Sequence, residues 1–174
     1  MDAVRRFRAT GVMIAIAIAV IDQAVKFWLL GPMKLRQVQV IDLLPFFDLR
    51  YAENPGISYG LFAATSLESR IALFAVTGGI ALVVLIWMFR ERQLWDIVAL
   101  ATVLGGAVGN IIDRVRFTYV VDYADFHIGT FRPFAIFNVA DAAITLGVLL
   151  LLARALFIRE KNEDDAATAG PAPQ

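Results

Sequence analysis

Long apolar runs, separated by short polar stretches, dominate the pattern of this chain. Four of them have the length of a membrane-crossing helix, and they lie at residues 10–30, 71–89, 94–112 and 134–158. Each is close to the roughly 20 residues that cross a hydrocarbon core as an α-helix. The pattern therefore predicts an all-α membrane protein, built as a four-transmembrane-helix bundle.

Composition supports this class and excludes others. Of the 174 residues, 59% are hydrophobic and only 18% are charged, more apolar than a soluble domain normally is. The first apolar run follows a basic start, as in a signal peptide, but it contains Asp22 and Lys26 and has no clear cleavage site, so we expect it to be retained. The zero formal net charge argues against a nucleic-acid partner.

The residue types also exclude several site chemistries. The chain has no cysteine, so thiolate nucleophiles and disulfides are impossible, and His127 is its single histidine. A lone histidine beside aromatic residues is more typical of an interface than of a metal site. With no HExxH motif and no glycine-rich phosphate loop, we expect neither a metal nor a cofactor.

The segment at 31–70 is too long to be a simple connection between two helices. Apolar and aromatic runs at 46–51 and 57–62 flank the turn signal Asn54-Pro55-Gly56. The pattern predicts a small extracytoplasmic β-rich loop domain, a sheet or hairpin lying on the outer membrane surface.

Basic residues near the helix ends predict the orientation. Arg5, Arg6 and Arg8 precede the first helix, Arg90 and Arg92 lie in a very short loop, and further basic residues follow the fourth helix. Because such clusters favour the cytoplasmic side, both termini are expected in the cytoplasm. Residues 1–160 then form a single membrane domain, and the polar, proline-containing segment 161–174 is expected to be a disordered cytoplasmic tail.

Unusual polar residues converge on one side of this predicted bundle. They are Asp22, Lys26, Asn54, Asn110, Asp113, Arg114, Asp122, Asn138 and Asp141. Most have simple structural explanations: Asp22 can pair with Lys26, Arg114 can pair with Asp113 or reach the interface, and Asn138 can join helices. Asp125 is explained as a solvated carboxylate or a helix cap.

Asp141 is harder to explain in structural terms, because no basic residue lies within one helical turn of it. A second carboxylate beside it would share its proton, and such a pair can activate a water molecule while protonating the substrate. This is the chemistry of aspartic peptidases. Asp122 is the expected partner.

Five short blocks carry a family resemblance. They read IDQAVKFW, NPGISYGLF, GGAVGNIIDRV, VVDYADF and FNVADAAITLG, and in this order they span about residues 20–150. Together they resemble lipoprotein signal peptidase, also called signal peptidase II. The resemblance implies an aspartyl endopeptidase of the bacterial inner membrane, which removes the signal peptide from prolipoproteins whose cysteine carries a diacylglyceryl group.

The resemblance also implies roles for particular residues. Asp122 and Asp141 match the catalytic pair. Positions that shape the site or hold substrate are Asp22, Asn54, Gly56, Asn110, Arg114, Asn138 and Ala140. The implied partners are lipid-modified prolipoproteins, membrane lipid and peptide inhibitors of the globomycin type, with the active site facing the periplasm. Glu53, Pro55 and Ala142 depart from the usual family residues.

Three other functions are weighed against this one. A proton-coupled transporter would use Asp22, Asp122 and Asp141 as a relay, but the other halves of the helices are almost purely apolar. A structural scaffold leaves the one-sided polar cluster unexplained. Other intramembrane proteases fit poorly, since a GxGD motif is absent and a Ser58–Lys26 dyad lacks supporting context.

Overall fold

The computed structural model describes residues 2–56 and 66–168, with backbone only for residue 2 and for 158–168. Its helices are α1 (Asp2–Leu30), α2 (Leu35–Val38), α3 (Leu67–Arg90), α4 (Leu94–Phe117) and α5 (Val139–Thr168). Its strands are β1 (Val40–Leu44), β2 (Phe47–Asn54) and β3 (Val120–Phe126). In this described part, α1, α3, α4 and α5 are long and apolar enough to cross a membrane, as predicted.

Helix α4 lies at the centre of the bundle and packs against α1, α3 and α5. Its most apolar stretch is 56% buried, against 17% for α3, most of whose surface is free to contact lipid. Small residues allow this close packing. A Cβ atom on Gly105 would lie 2.7 Å from the carbonyl oxygen of Ala15 in α1, and one on Gly106 would collide with the carbonyl oxygen of Ala140 in α5.

The three strands form one antiparallel sheet in the order β1-β2-β3. The β2–β3 register pairs Ala52 with Asp122 and Asn54 with Val120. This pairing joins the loop domain after α1 to the segment that follows α4. It therefore brings the loop against the end of the bundle at which Asp122 lies.

One hairpin turn of the sheet was not predicted: the chain reverses at Pro45 and Phe46, where Leu44 pairs with Phe47. At the predicted turn signal, Asn54 ends β2, and its side-chain oxygen accepts a hydrogen bond from Gly56 N at 3.0 Å. The second predicted run, 57–62, lies outside the described residues, so a turn between the two predicted runs stays a prediction.

The fourth span begins later than predicted. The apolar residues at 134–137 are not helical, because Phe137 pairs with Ala124 at the edge of the sheet, with Ala124 N donating to Phe137 O at 2.8 Å. The α-helix starts only at Val139. At its other end α5 continues to Thr168, into the segment expected to be disordered, which contains the good helix formers Lys161 and Glu163. Residues 169–174 lie outside the described part.

Candidate active site

Asp122 lies in the middle of β3 and is almost completely buried, with 3% of its surface exposed. Each of its carboxylate oxygens accepts a hydrogen bond from an asparagine side chain. Asn138 Nδ2 donates to Oδ1 at 2.6 Å, and Asn54 Nδ2 donates to Oδ2 at 3.1 Å. The carboxylate is thus held between the end of β2 and the start of α5.

The orientation of both amides follows from their other contacts. The side-chain oxygen of Asn54 accepts from Gly56 N, and that of Asn138 accepts from Asp141 N at 2.9 Å. A backbone N–H can only donate, so the oxygen must face it in each case and the NH₂ group must face Asp122.

Asp141 lies in the first turn of α5, three residues after Asn138. Asn138 caps the helix: Asp141 N donates to its side chain, and Asn138 N lies 3.4 Å from Asp141 Oδ2 in return. Asn110 Nδ2 of α4 donates to Asp141 Oδ1 at 2.8 Å. These amide donors and the positive end of the helix dipole compensate the carboxylate, in place of the basic residue that the nearby sequence lacks.

The two aspartates therefore share one hydrogen-bonded scaffold. Asn138 contacts both of them, and its Nδ2 also lies 3.3 Å from Asn110 Oδ1. Burial raises the pKa of Asp122, the charge of Asp141 raises it further, and the asparagine amides lower it, so that it lies at about 7. A carboxyl group with such a pKa holds or releases a proton near neutral pH, as an acid–base catalyst must.

Arg114 of α4 reaches the loop domain and not its neighbour Asp113. Its Nη2 donates to Gly56 O at 2.8 Å, and its Nη1 lies 3.4 Å from Asn110 O. The guanidinium thus ties the segment that carries Asn54 to the helix that carries Asn110.

Asp22 and Ala140 meet where α1 contacts α5. Ala140 N donates to Asp22 Oδ1 at 3.0 Å, and both residues are fully buried. Gly109 makes room for this contact, because a Cβ atom there would lie 2.7 Å from Asp22 Oδ2. All nine residues that the resemblance selects therefore lie at the same end of the bundle.

Sequence reasoning gave no role in the site to Lys26 or Asp113, yet both are buried there. Lys26 Nζ lies 2.8 Å from Asp22 Oδ2, as the spacing of four residues suggests, and also 2.7 Å from Asp113 Oδ2. The first contact is visible in the sequence. The second joins α1 to α4, and no local spacing reveals it.

The expectation for Asp125 is wrong. Its side chain is fully buried, and it is neither solvated nor a helix cap, because Arg50 Nε at 2.7 Å and Arg132 Nε at 3.0 Å bind it. His127, two residues after Asp125, lies 3.0 Å from Asp48 Oδ2 in β2. The contacts of Arg50 and His127 join β2 to β3 and its end, and the contact of Arg132 holds the sheet against the segment before α5.

Fold and site together define a multi-pass membrane hydrolase with paired carboxylates at one end of its helical bundle. The chain matches the family described as Signal peptidase (SPase) II over residues 14–157. It belongs to this family, the lipoprotein signal peptidases, and is a peptidase that acts on prolipoproteins.

Relatives and solved structures agree with this assignment. The chain is 54% identical to the lipoprotein signal peptidase of Sphingopyxis alaskensis over 151 residues, 87% of each chain. It is 48% identical to that of Rhizorhabdus wittichii over 159 residues, covering 91% of this chain and 92% of the relative. A bacterial membrane enzyme solved by the in meso method at 2.3 Å superposes with a TM-score of 0.74 at 26% identity, covering 95% of this chain and 94% of that one.

Proposed function

We propose that Asp122 and Asp141 are the catalytic dyad of this peptidase, and that it cuts lipid-modified prolipoproteins immediately before the lipidated cysteine. The observation that carries the proposal is the position of Asn138, which hydrogen-bonds to both aspartates. Two carboxylates held on one amide scaffold, with Asp122 buried and Asp141 partly buried, are suited to sharing a single proton.

In the proposed reaction, a water molecule bound between the two carboxyl groups attacks the scissile carbonyl carbon. The ionised carboxylate takes a proton from the water, and the protonated one gives its proton to the carbonyl oxygen. A tetrahedral diol results. Its collapse breaks the C–N bond, moves one proton to the leaving amine and leaves one proton on the dyad, as at the start.

The surroundings favour different roles for the two acids. Asp141 sits at the N-terminus of α5, where the helix dipole favours a negative charge, so it is the general base of the first step. Asp122, whose pKa of about 7 reflects first its burial and then the charge of Asp141, holds the proton. The proton is shared by the pair, so this assignment describes only the resting state.

Asn54, Gly56 and Arg114 form the wall of the site toward the loop domain. The loop therefore acts as a clamp over an extended substrate, with its polar groups close to the scissile bond. The same cleft would take peptide inhibitors of the globomycin type. The lipid anchor of the substrate would lie in the bilayer beside the bundle, where membrane lipid surrounds the exposed apolar side chains of the helices.

The peptidase is proposed to lie in the bacterial inner membrane, with the dyad facing the periplasm and both termini in the cytoplasm. The basic residues Arg5, Arg8 and Arg92 lie together at the end of the bundle opposite the dyad, as expected of a cytoplasmic side. Reporter fusions after Asp125 should read as external, and a fusion at Gln93 as cytoplasmic. The reverse pattern would contradict this orientation.

Cleavage of a purified diacylglyceryl-modified prolipoprotein, followed by mass spectrometry, tests the proposed chemistry. The wild-type enzyme should release the intact signal peptide. Asp122→Asn and Asp141→Asn should insert normally but lose nearly all activity, because an amide replaces the required acid or base. Near wild-type turnover by either variant would refute the dyad.

A further inference from the structure

We infer that Lys26 is a positioning residue of this site, which acts through Asp22 and Asp113 to fix the backbone immediately before each of the two dyad aspartates. The inference rests on the proposed function. It adds to that function a set of three buried charged residues, here called the Lys26 triad: Lys26, Asp22 and Asp113.

The Lys26 triad is almost completely withdrawn from solvent. The side chain of Lys26 is 2% exposed, and those of Asp22 and Asp113 are 0% exposed. Its ammonium lies 2.8 Å from one carboxylate and 2.7 Å from the other, so one cation joins two acids from different helices. Burying three charges has a large desolvation cost, and simple packing would be served as well by apolar residues. Their presence calls for a role that apolar residues cannot fill.

The second contacts of the two acids indicate that role. Asp22 Oδ1 accepts the backbone N–H of Ala140 at 3.0 Å, and Asp113 Oδ2 accepts that of Val121 at 3.0 Å. Ala140 directly precedes Asp141, and Val121 directly precedes Asp122. In both cases, an acid bound to Lys26 accepts the backbone N–H of the residue just before a dyad aspartate. One of these backbone groups lies at the start of α5 and the other in β3.

Gln23 closes the arrangement on the α1 side. Its Nε2 lies 2.8 Å from Asp113 Oδ1, 3.2 Å from Asp22 Oδ2 and 3.2 Å from Gly109 O. Asp22 and Asp113 are therefore held by neighbours on α1 as well as by the cation. A small displacement of either would be passed directly to the backbone beside one dyad aspartate.

The charge of Lys26 also reaches the dyad. The groups whose charge acts on the dyad are Lys26 and Asp22 from α1, Arg114 from α4 and Tyr123 from β3. Asp113 of α4 is close to the dyad as well, because it accepts the N–H of Val121 beside Asp122. Burial and then Asp141 raise the pKa of Asp122, while its asparagine partners and the Lys26 ammonium lower it. Removing the cation must therefore raise this pKa, and removing a nearby anion must lower it.

The test compares kcat and KM from pH 5 to 9 on one lipidated substrate. The variants are Lys26→Met, Lys26→Arg and Asp113→Asn, each normalised to folded enzyme in detergent. Lys26→Met should lower kcat at least tenfold with KM nearly unchanged. In the plot of kcat against pH, the decline at high pH, here called the alkaline limb, should move by roughly one unit to higher pH in this variant. Lys26→Arg keeps the charge, so its alkaline limb should stay in place, while its kcat should lie between those of Lys26→Met and the wild type. Asp113→Asn should move the limb to lower pH.

Asp96→Asn is the matched control. Asp96 forms an ion pair with Arg154 at 2.6 Å, which also joins two helices but lies at the opposite end of α4. This variant should leave the alkaline limb in place. If Lys26→Met does not fold, the downward shift in Asp113→Asn still supports the inference.

Other results would overturn it. An alkaline limb that stays in place in both folded Lys26→Met and folded Asp113→Asn, or a wild-type kcat in Lys26→Met, would mean that the Lys26 triad is only a packing element. Failure of the proposed function looks different, because then Asp122→Asn would cleave at the wild-type rate in the same assay.

Discussion

Asn138 donates a hydrogen bond from its side-chain nitrogen to Asp122 Oδ1 at 2.6 Å. Through its side-chain oxygen the same residue caps α5, accepting the N–H of Asp141 at 2.9 Å. One side chain thus starts the helix that carries one aspartate and orients the carboxylate of the other. The distance between the two acids consequently depends on a local helix-capping interaction.

Substitutions of Asn138 can separate these two tasks. Serine caps a helix as well as asparagine does, but its single oxygen is engaged in the cap and lacks the amide NH₂ that reaches Asp122. Asn138→Ser should therefore melt at a higher temperature in detergent than Asn138→Ala, which loses the cap as well. Both should lower kcat about ten- to a hundredfold, the value of one charged hydrogen bond. A fully active Asn138→Ser enzyme would contradict the role assigned to the amide.

The pH dependence of turnover should report on Asp122. Its pKa is about 7, raised by burial and Asp141 and lowered by the amides of Asn54 and Asn138. If Asp122 must hold the proton, activity is lost as the pH rises through this value. Asn54→Ala removes a donor to the ionised form, which raises the pKa, so the alkaline limb of kcat should move to higher pH. Asp42→Asn, an exposed change in the same loop domain, should leave the limb unmoved. A limb that does not move in Asn54→Ala would argue that Asp122 is not the titrating group.

Arg114 is expected to hold the loop domain in place without taking part in the chemistry. It donates to Gly56 O at 2.8 Å and contacts Asn110 O at 3.4 Å, so its planar group joins two carbonyl oxygens. Arg114→Ala should lower kcat/KM about ten- to a hundredfold, and Arg114→Lys should recover only part of it, because an ammonium lacks the fork geometry. Full recovery by lysine would show that charge alone is needed. An Arg114→Ala loss as large as that of Asp122→Asn would place Arg114 within the catalytic machinery.

Much of this arrangement could be predicted from local sequence. The four spans follow from apolar length, and the family blocks select the nine residues that the structure brings to one end. The start of α5 could not be predicted in this way, because Phe137 is as apolar as a helical residue but pairs with Ala124 in the sheet. The length of an apolar run indicates how many residues are buried or contact lipid. It does not distinguish a helix from an extended segment that leads into the helix.

The contacts that could not be predicted join residues that are far apart in the sequence. Asp22 and Lys26 are four residues apart, so their pairing could be expected, whereas Asp113 comes 87 residues after Lys26 and meets it only when α1 packs on α4. Asp125 shows the same limit. Its partner Arg50 reaches it because β2 pairs with β3, and nothing near Asp125 in the sequence indicates that pairing.

Asp125 should matter for stability and much less for turnover. It is fully buried between Arg50 and Arg132; burial opposes its ionisation, but hydrogen bonds from the two arginines outweigh this and hold its pKa below the usual range. Such a group stabilises the fold above its unfolded pKa of about 4, and that stabilisation is lost as the pH falls through its lower folded pKa. Asp125→Asn should therefore melt at a lower temperature than the wild type at pH 6 to 8, and the difference should shrink below about pH 4.

Below its melting temperature, the Asp125→Asn variant should cleave a lipidated substrate at nearly the wild-type rate, because Asp125 contacts neither dyad aspartate in the described structure. Asp42→Asn serves as the control and should melt like the wild type. A stable but inactive Asp125→Asn enzyme would mean that Asp125 takes part in the site, and that the ion pairs with Arg50 and Arg132 are part of the catalytic arrangement.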